Sequence, residues 1–219
     1  MTHHIPGPAG RLEALVDDPA SLCTTAMPTP EQAAAAPPKP RAVVVIAHPH
    51  PVYGGTMNTK AVFQAAKAFC RLGCAVVRFN FRGAGRSDGT FSNGPGEIDD
   101  YRAALDFAAA RHPGVQIWSA GISFGAWVAT TAGADDARVT RLLAVAPPVD
   151  SYDFGPLARS PKPKFFIQGE RDEICPTPAL WQFYAHAAEP KDIAVIDAAN
   201  HLFDGRLTEM SEAIERFME

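Results

Sequence analysis

Apolar positions along this chain follow two alternating periods. AVVVIA (42–47) is an unbroken β-branched run, the pattern of a strand buried on both faces. In MNTKAVFQAAKAFCRLG (57–73) the apolar residues Ala61, Val62, Ala65, Ala66, Phe69 and Cys70 recur at helical spacing, and Gly73 suits a C-cap. The alternation then repeats. Strands are predicted at 74–80, 115–120, 141–147, 164–169 and 192–197. Helices are predicted at 97–112, 123–133, 178–188 and 207–218. Parallel strands need crossover connections, usually helical, so this order predicts an α/β fold: a mostly parallel sheet with helices on both faces. No internal repeat interrupts it.

The first forty residues are different. Of 20 prolines, ten lie within residues 1–51. PTPEQAAAAPPKP (28–40) cannot form a central strand or a long helix, because proline lacks the N–H and fixes φ; it reads as a surface connector. Before it, GRLEALV (10–16) alternates weakly and GPAG (7–10) signals a turn, so the first twenty residues read as an edge hairpin. Residues 1–40 are therefore an extension and 41–219 the core of what reads as one domain.

Composition narrows the class without naming a partner. The chain has 219 residues, 47% hydrophobic and 20% charged, with formal net charge -4. No basic run suggests nucleic acid. Cys23, Cys70, Cys74 and Cys175 form neither a CxxC pair nor a dense framework, which fits reduced thiols. MTHHIPGPAG lacks the pattern of a secretory signal, and no stretch of eighteen apolar residues would span a membrane. A cytoplasmic protein with no membrane partner is expected.

In sheets of this kind ligands bind beyond the carboxyl ends of the strands. There the strand at 115–120 is followed by Gly121-Ile122-Ser123-Phe124-Gly125. A serine on a sharp strand-to-helix turn needs small residues two positions to either side, and the turn presents its hydroxyl near a helix N-terminus. Ser123 is the candidate nucleophile. Only His186 and His201 follow it in the chain. His186 lies mid-helix, whereas His201 lies in the loop after the last strand and is the candidate base. Asp172, three residues past Gly169 and one strand upstream, is the favoured acid; Asp150 and Asp153 are the alternatives, and Asp197 is expected to cap its own strand.

An acyl-transfer site also needs donors for an oxyanion. The N–H after the nucleophile belongs to Phe124. In His48-Pro49-His50-Pro51 the prolines have no N–H, which points to His50 as the second donor. The HPH spacing lacks supporting ligands for a metal, so His48 is read as bracing the loop.

With these motifs placed, HPHP after the first core strand, RFNFRGAGRSDG, GISFG, GERDEICP and NHLF together resemble the α/β-hydrolase superfamily of serine hydrolases. More narrowly they are similar to compact bacterial α/β hydrolases with an HP-rich loop, and more distantly to dienelactone hydrolases. The resemblance covers about 41–219. It implies the α/β-hydrolase fold, Ser123, Asp172 and His201 as the triad, and no cofactor. Dienelactone hydrolases use cysteine as nucleophile; Ser123 argues against that narrower activity. The glycines of RGAGRS are read as structural.

The stretch 147–163 is too short for a multi-helix lid, so an open, shallow pocket is expected. Tyr53, Phe91, Trp127, Pro148, Phe154, Leu202 and Phe203 are the expected lining. The implied activity is hydrolysis of small-molecule carboxylic esters. A thioesterase, lactonase or small-peptide hydrolase would use the same residues, and a silent fold serving as a binding protein is the alternative from another class. An open sheet edge would permit a homodimer, though no residue pattern demands one.

Overall fold

The computed structural model describes residues 2–19 and 39–219. The N-terminal hairpin is β1 (Thr2–Gly7) and β2 (Gly10–Asp17). Then come β3 (Val43–Ala47), a 3₁₀ turn (Pro51–Tyr53), α1 (Lys60–Arg71) and β4 (Ala75–Phe79). They are followed by α2 (Pro95–Arg111), β5 (Ile117–Ile122), α3 (Phe124–Asp135) and β6 (Val139–Val145). The chain continues through α4 (Gly155–Arg159), β7 (Lys164–Gly169), α5 (Thr177–His186), β8 (Lys191–Ile196) and α6 (Leu207–Met218).

One eight-stranded sheet runs in the order β1-β2-β4-β3-β5-β6-β7-β8. β2 pairs antiparallel with β1 and β4, and the remaining pairs are parallel. The two faces of the sheet follow from the side-chain period of two. On β3, Val44 and Ile46 face the core under α1 and α6, while Val43, Val45 and Ala47 face the core under α2 and α3. The apolar residues singled out on α1 are all buried. β5 sits two residues later than its sequence pattern suggests, because pairing with both β3 and β6 carries it through Gly121 and Ile122. The short α4 had no helical pattern long enough to announce it. It is the only helix between β6 and β7, and no cap domain is inserted there. Among the described residues no helix is long and apolar enough to cross a membrane.

The hairpin is part of the sheet and shares its core. Ile5, Leu12 and Ala14 pack in the layer under α2. At the β2–β4 junction Arg78, 3% exposed, donates to the Asp17 carboxylate at 2.5 and 3.1 Å and to the Met57 carbonyl at 2.8 Å. Glu13 accepts from the Asn80 amide at 2.8 Å and from the Arg86 N–H at 2.9 Å. Of the connector at 28–40, residues up to 38 lie outside the described residues, as does Cys23.

His48 ties the loop after β3 to the loop after β4. Its Nε2 accepts from the Phe81 N–H at 3.1 Å, so Nδ1 carries the proton and donates to the Pro49 carbonyl at 2.6 Å. The ring is fully buried against Phe81, and burial pulls its pKa down to about 4. The imidazole is thus a neutral strut that fixes where the following residues, His50 included, stand.

Two predictions follow from these contacts. Asp17→Ala strands a buried guanidinium, and urea unfolding should show a loss of about 3 kcal/mol. For His48, the unfolded chain takes up a proton below about pH 6.5 and the folded chain only near pH 4. Stability should therefore fall between those values and level off below, by about 3 kcal/mol from this group. The comparison of urea midpoints for wild type and His48→Gln across that window isolates the effect; identical pH dependence would contradict it.

Candidate active site

Ser123 occupies the turn between β5 and α3 with φ 56° and ψ −124°, a region that costs a non-glycine residue energy. Three contacts hold it there. The Ser123 N–H donates to the Val145 carbonyl on β6 at 2.8 Å. A Cβ on Gly121 would run into the Gly125 carbonyl, and a Cβ on Gly125 would run into the carbonyls of His48 and Ala47. The two glycines of GISFG are therefore required by backbone approach, and the turn packs directly onto the end of β3.

His201 reaches this turn from the loop after β8. Its Nε2 lies 2.9 Å from Ser123 Oγ and its Nδ1 2.8 Å from Asp172 Oδ2. An ionised carboxylate only accepts, so Nδ1 carries the proton and Nε2 is the free base facing the hydroxyl. The loop is shaped by strain and by local bonds. Ala198 and Phe203 both have positive φ, at 54° and 58°. Asn200 and Asp204 hydrogen-bond each other twice, at 3.1 and 2.9 Å.

Asp172 is buried, and four donors satisfy it. Oδ1 accepts the N–H groups of Ile174 and Cys175 at 2.9 and 2.8 Å. Oδ2 accepts from His201 and from the Gln168 amide at 3.0 Å. The alternative acids serve elsewhere: Asp150 accepts from Ser151 Oγ, and Asp153 from the Gly155 N–H. His186 is exposed and bonds the Gln182 carbonyl on its own helix.

Among the described residues neither the Phe124 N–H nor the His50 N–H has an acceptor within the chain. Phe124 opens α3, where the first N–H groups have no intrahelical partner and the helix dipole favours negative charge. The His50 ring contacts Tyr53, Phe91 and Phe124 at 4.7–4.9 Å, and its Nδ1 accepts from the Val52 N–H at 3.2 Å. Burial lowers the His50 pKa, against a smaller opposing pull from Glu97.

Ser123 and His201 open onto a cavity of about 590 Å³. Tyr53, Pro148 and Leu202 line it, as the sequence suggested. Phe91 and Trp127 do not; they stand behind Phe124 as half-buried packing. Phe154 and Phe203 are buried in the two core layers, so the expectation that they line the pocket is corrected. Both rings have apolar neighbours that take them out of water, Phe154 against Phe183 and Phe203 in the layer under α6, which an open pocket wall would not do. Tyr152, Ile174, Thr59 and Gly54 also belong to the wall and were not singled out in the sequence. Neither was Gln168, although one polar residue inside the apolar strand KFFIQG was a signal to follow.

Among the described residues, Asp172, Cys175 and His201 form a group of side chains of metal-ligating type, with ligand atoms within 4.8 Å of one another. Asp172 and His201 are already committed to each other and to further partners. Asp172 is saturated with N–H donors, and burial with the nearby Asp172 and Asp150 charges pushes the Cys175 thiol well above its usual pKa. Nothing in the donor set is held open for an ion.

Residues 38–162 match the family described as serine aminopeptidase, S33. An uncharacterised protein of Rickettsia prowazekii is 37% identical over 185 residues, 80% of this chain and 78% of its own. An α/β serine hydrolase homologue from Coxiella burnetii is 35% identical with a TM-score of 0.88, covering 100% of this chain and 97% of that one. A Xanthomonas campestris α/β serine hydrolase without a lid is 31% identical with a TM-score of 0.86, covering 100% and 93%. The fold, the serine at its strand-to-helix turn and these likenesses agree: the chain belongs to the α/β-hydrolase superfamily, within the family that carries the serine aminopeptidase description.

Proposed function

We propose that this hydrolase cleaves carboxylic esters of small or exposed acyl groups through an acyl-enzyme formed on Ser123. The observation that carries the reading is the unbroken chain Ser123 Oγ, His201, Asp172 at 2.9 and 2.8 Å, opening on an accessible cavity. His201 Nε2 takes the hydroxyl proton as Oγ attacks the ester carbonyl. The imidazolium formed is stabilised by Asp172 through Nδ1. The Phe124 and His50 N–H groups receive the oxyanion, a role that suits unpartnered donors held rigid before the reaction begins. His201 then gives its proton to the departing alcohol, and water hydrolyses the acyl-enzyme by the same transfers in reverse. Each proton has a carrier among these residues, so no cofactor is invoked.

The cavity wall favours neutral esters over aminoacyl substrates. Among the described residues its lining includes Tyr53, Phe124, Pro148, Tyr152, Ile174 and Leu202 but no Asp or Glu. An aminopeptidase has to hold a substrate ammonium group, and burying that charge without a carboxylate is costly. Thioesters and lactones present the same carbonyl to Ser123, and the wall has no feature that rejects them.

Wild type should turn over a short-chain activated ester, and Ser123→Ala should lose roughly 10⁴-fold or more in kcat with an unchanged thermal midpoint. Phosphonylation of wild type by a fluorophosphonate should fail in the variant. Retained activity in Ser123→Ala refutes the nucleophile. A panel of acyl esters, thioesters, lactones and aminoacyl amides decides the class, with the amides expected to be the poorest substrates.

A further inference from the structure

Gln168 stands on β7 one residue before the loop that carries Asp172, and it is fully buried. Both hydrogens of its amide are used. One goes to Asp172 Oδ2 at 3.0 Å, the oxygen that also accepts from His201 Nδ1. The other goes to the Cys175 carbonyl at 2.6 Å, at the far end of the same loop. Its own oxygen, Oε1, is buried with no hydrogen-bond partner. A buried polar atom left without a partner destabilises a fold, and an apolar side chain of the same length would avoid that cost. The position thus keeps an amide whose acceptor half is wasted and whose donor half is spent on Asp172 and its loop.

We propose that Gln168 is a positioning residue for the reaction: it aims the Asp172 carboxylate at His201 and, by sharing Oδ2, sets how strongly that carboxylate draws a proton onto the imidazole. This rests on the triad reading above. The clamp on the Cys175 carbonyl closes the turn from Gly169 to Cys175, which presents the Ile174 and Cys175 N–H groups to Oδ1. Without it, Asp172 can rotate away from Nδ1. The bond to Oδ2 also disperses its negative charge over two donors. The amide orientation is fixed by the same contacts, since a flip would set Oε1 against a carboxylate and a carbonyl. The titratable groups facing this amide are Asp172, His201 and the Cys175 thiol, with Asp150 acting on that thiol from the loop after β6.

Gln168→Met keeps the length and removes both donors. For ester hydrolysis its kcat should fall about five- to ten-fold with KM within about two-fold, and the acidic limb of kcat/KM should move up by about half a pH unit. Its thermal midpoint should fall modestly, because the Cys175 carbonyl and Asp172 Oδ2 each lose a donor although the orphaned oxygen is gone. Gln168→Glu is the second variant. Two adjoining carboxyl groups share a proton, so its activity should decline as pH rises through neutrality, a limb that wild type lacks. A purely structural glutamine would give the lowered thermal midpoint alone, with an unmoved pH profile in every variant that folds. Unchanged kcat and limb in Gln168→Met, or no new limb in Gln168→Glu, overturns the proposal. The triad reading fails separately, if wild type is inactive on the ester or Ser123→Ala is unimpaired.

Discussion

The close approach of two backbones is the constraint on which the site depends. The turn after β5 lies against the carbonyls of Ala47 and His48 at the end of β3, and only a glycine at position 125 permits it. That contact puts the loop after β3 beside the turn after β5, so the Phe124 and His50 N–H groups come from neighbouring elements of the sheet. Ser123 pays for the bend in φ and ψ, and its N–H bond to Val145 and the parallel ladders on both sides of β5 keep it there.

A second regularity is how buried charge is handled. Asp172 has four donors, Asp17 is paired with Arg78, and Asp100 accepts three bonds from Arg82. Glu97 accepts from the N–H groups of Ser92 and Gly94 and from Ser92 Oγ at the start of α2. Low-dielectric surroundings make an unpaired charge costly; Glu97 is satisfied locally, while Asp172, Asp17 and Asp100 each join segments far apart in sequence. The hairpin is tied to β4, the loop after β4 to α2, and the acid loop to the base. His48 achieves the same between two loops while staying neutral.

Where sequence reasoning succeeded, the signal was local. GISFG between a strand and a helix carries its own steric explanation, and the alternation of periods placed the strands from 42 onward. Its order also selected His201 over His186, since only one follows a strand end. Where it fell short, the deciding quantity was burial. Phe154 and Phe203 sit beside the strand ends in sequence yet turn into the core, while Tyr152 and Ile174, equally plain in sequence, face the cavity. A loop's direction depends on positive-φ residues such as Ala146 and Ala198, and neither is a residue type that announces such a turn.

The amino-acid sequence by itself determined the alternating architecture, the serine turn and the short stretch that leaves no room for a large lid. These follow from periodicity, glycine spacing and segment length, all of which act between near neighbours. Tertiary structure decided which acid meets His201, which aromatics line the cavity, and that Gln168 holds the carboxylate. Those outcomes depend on distances between residues tens of positions apart. They are fixed only when the sheet brings its strand ends together and burial makes an unpartnered polar group costly.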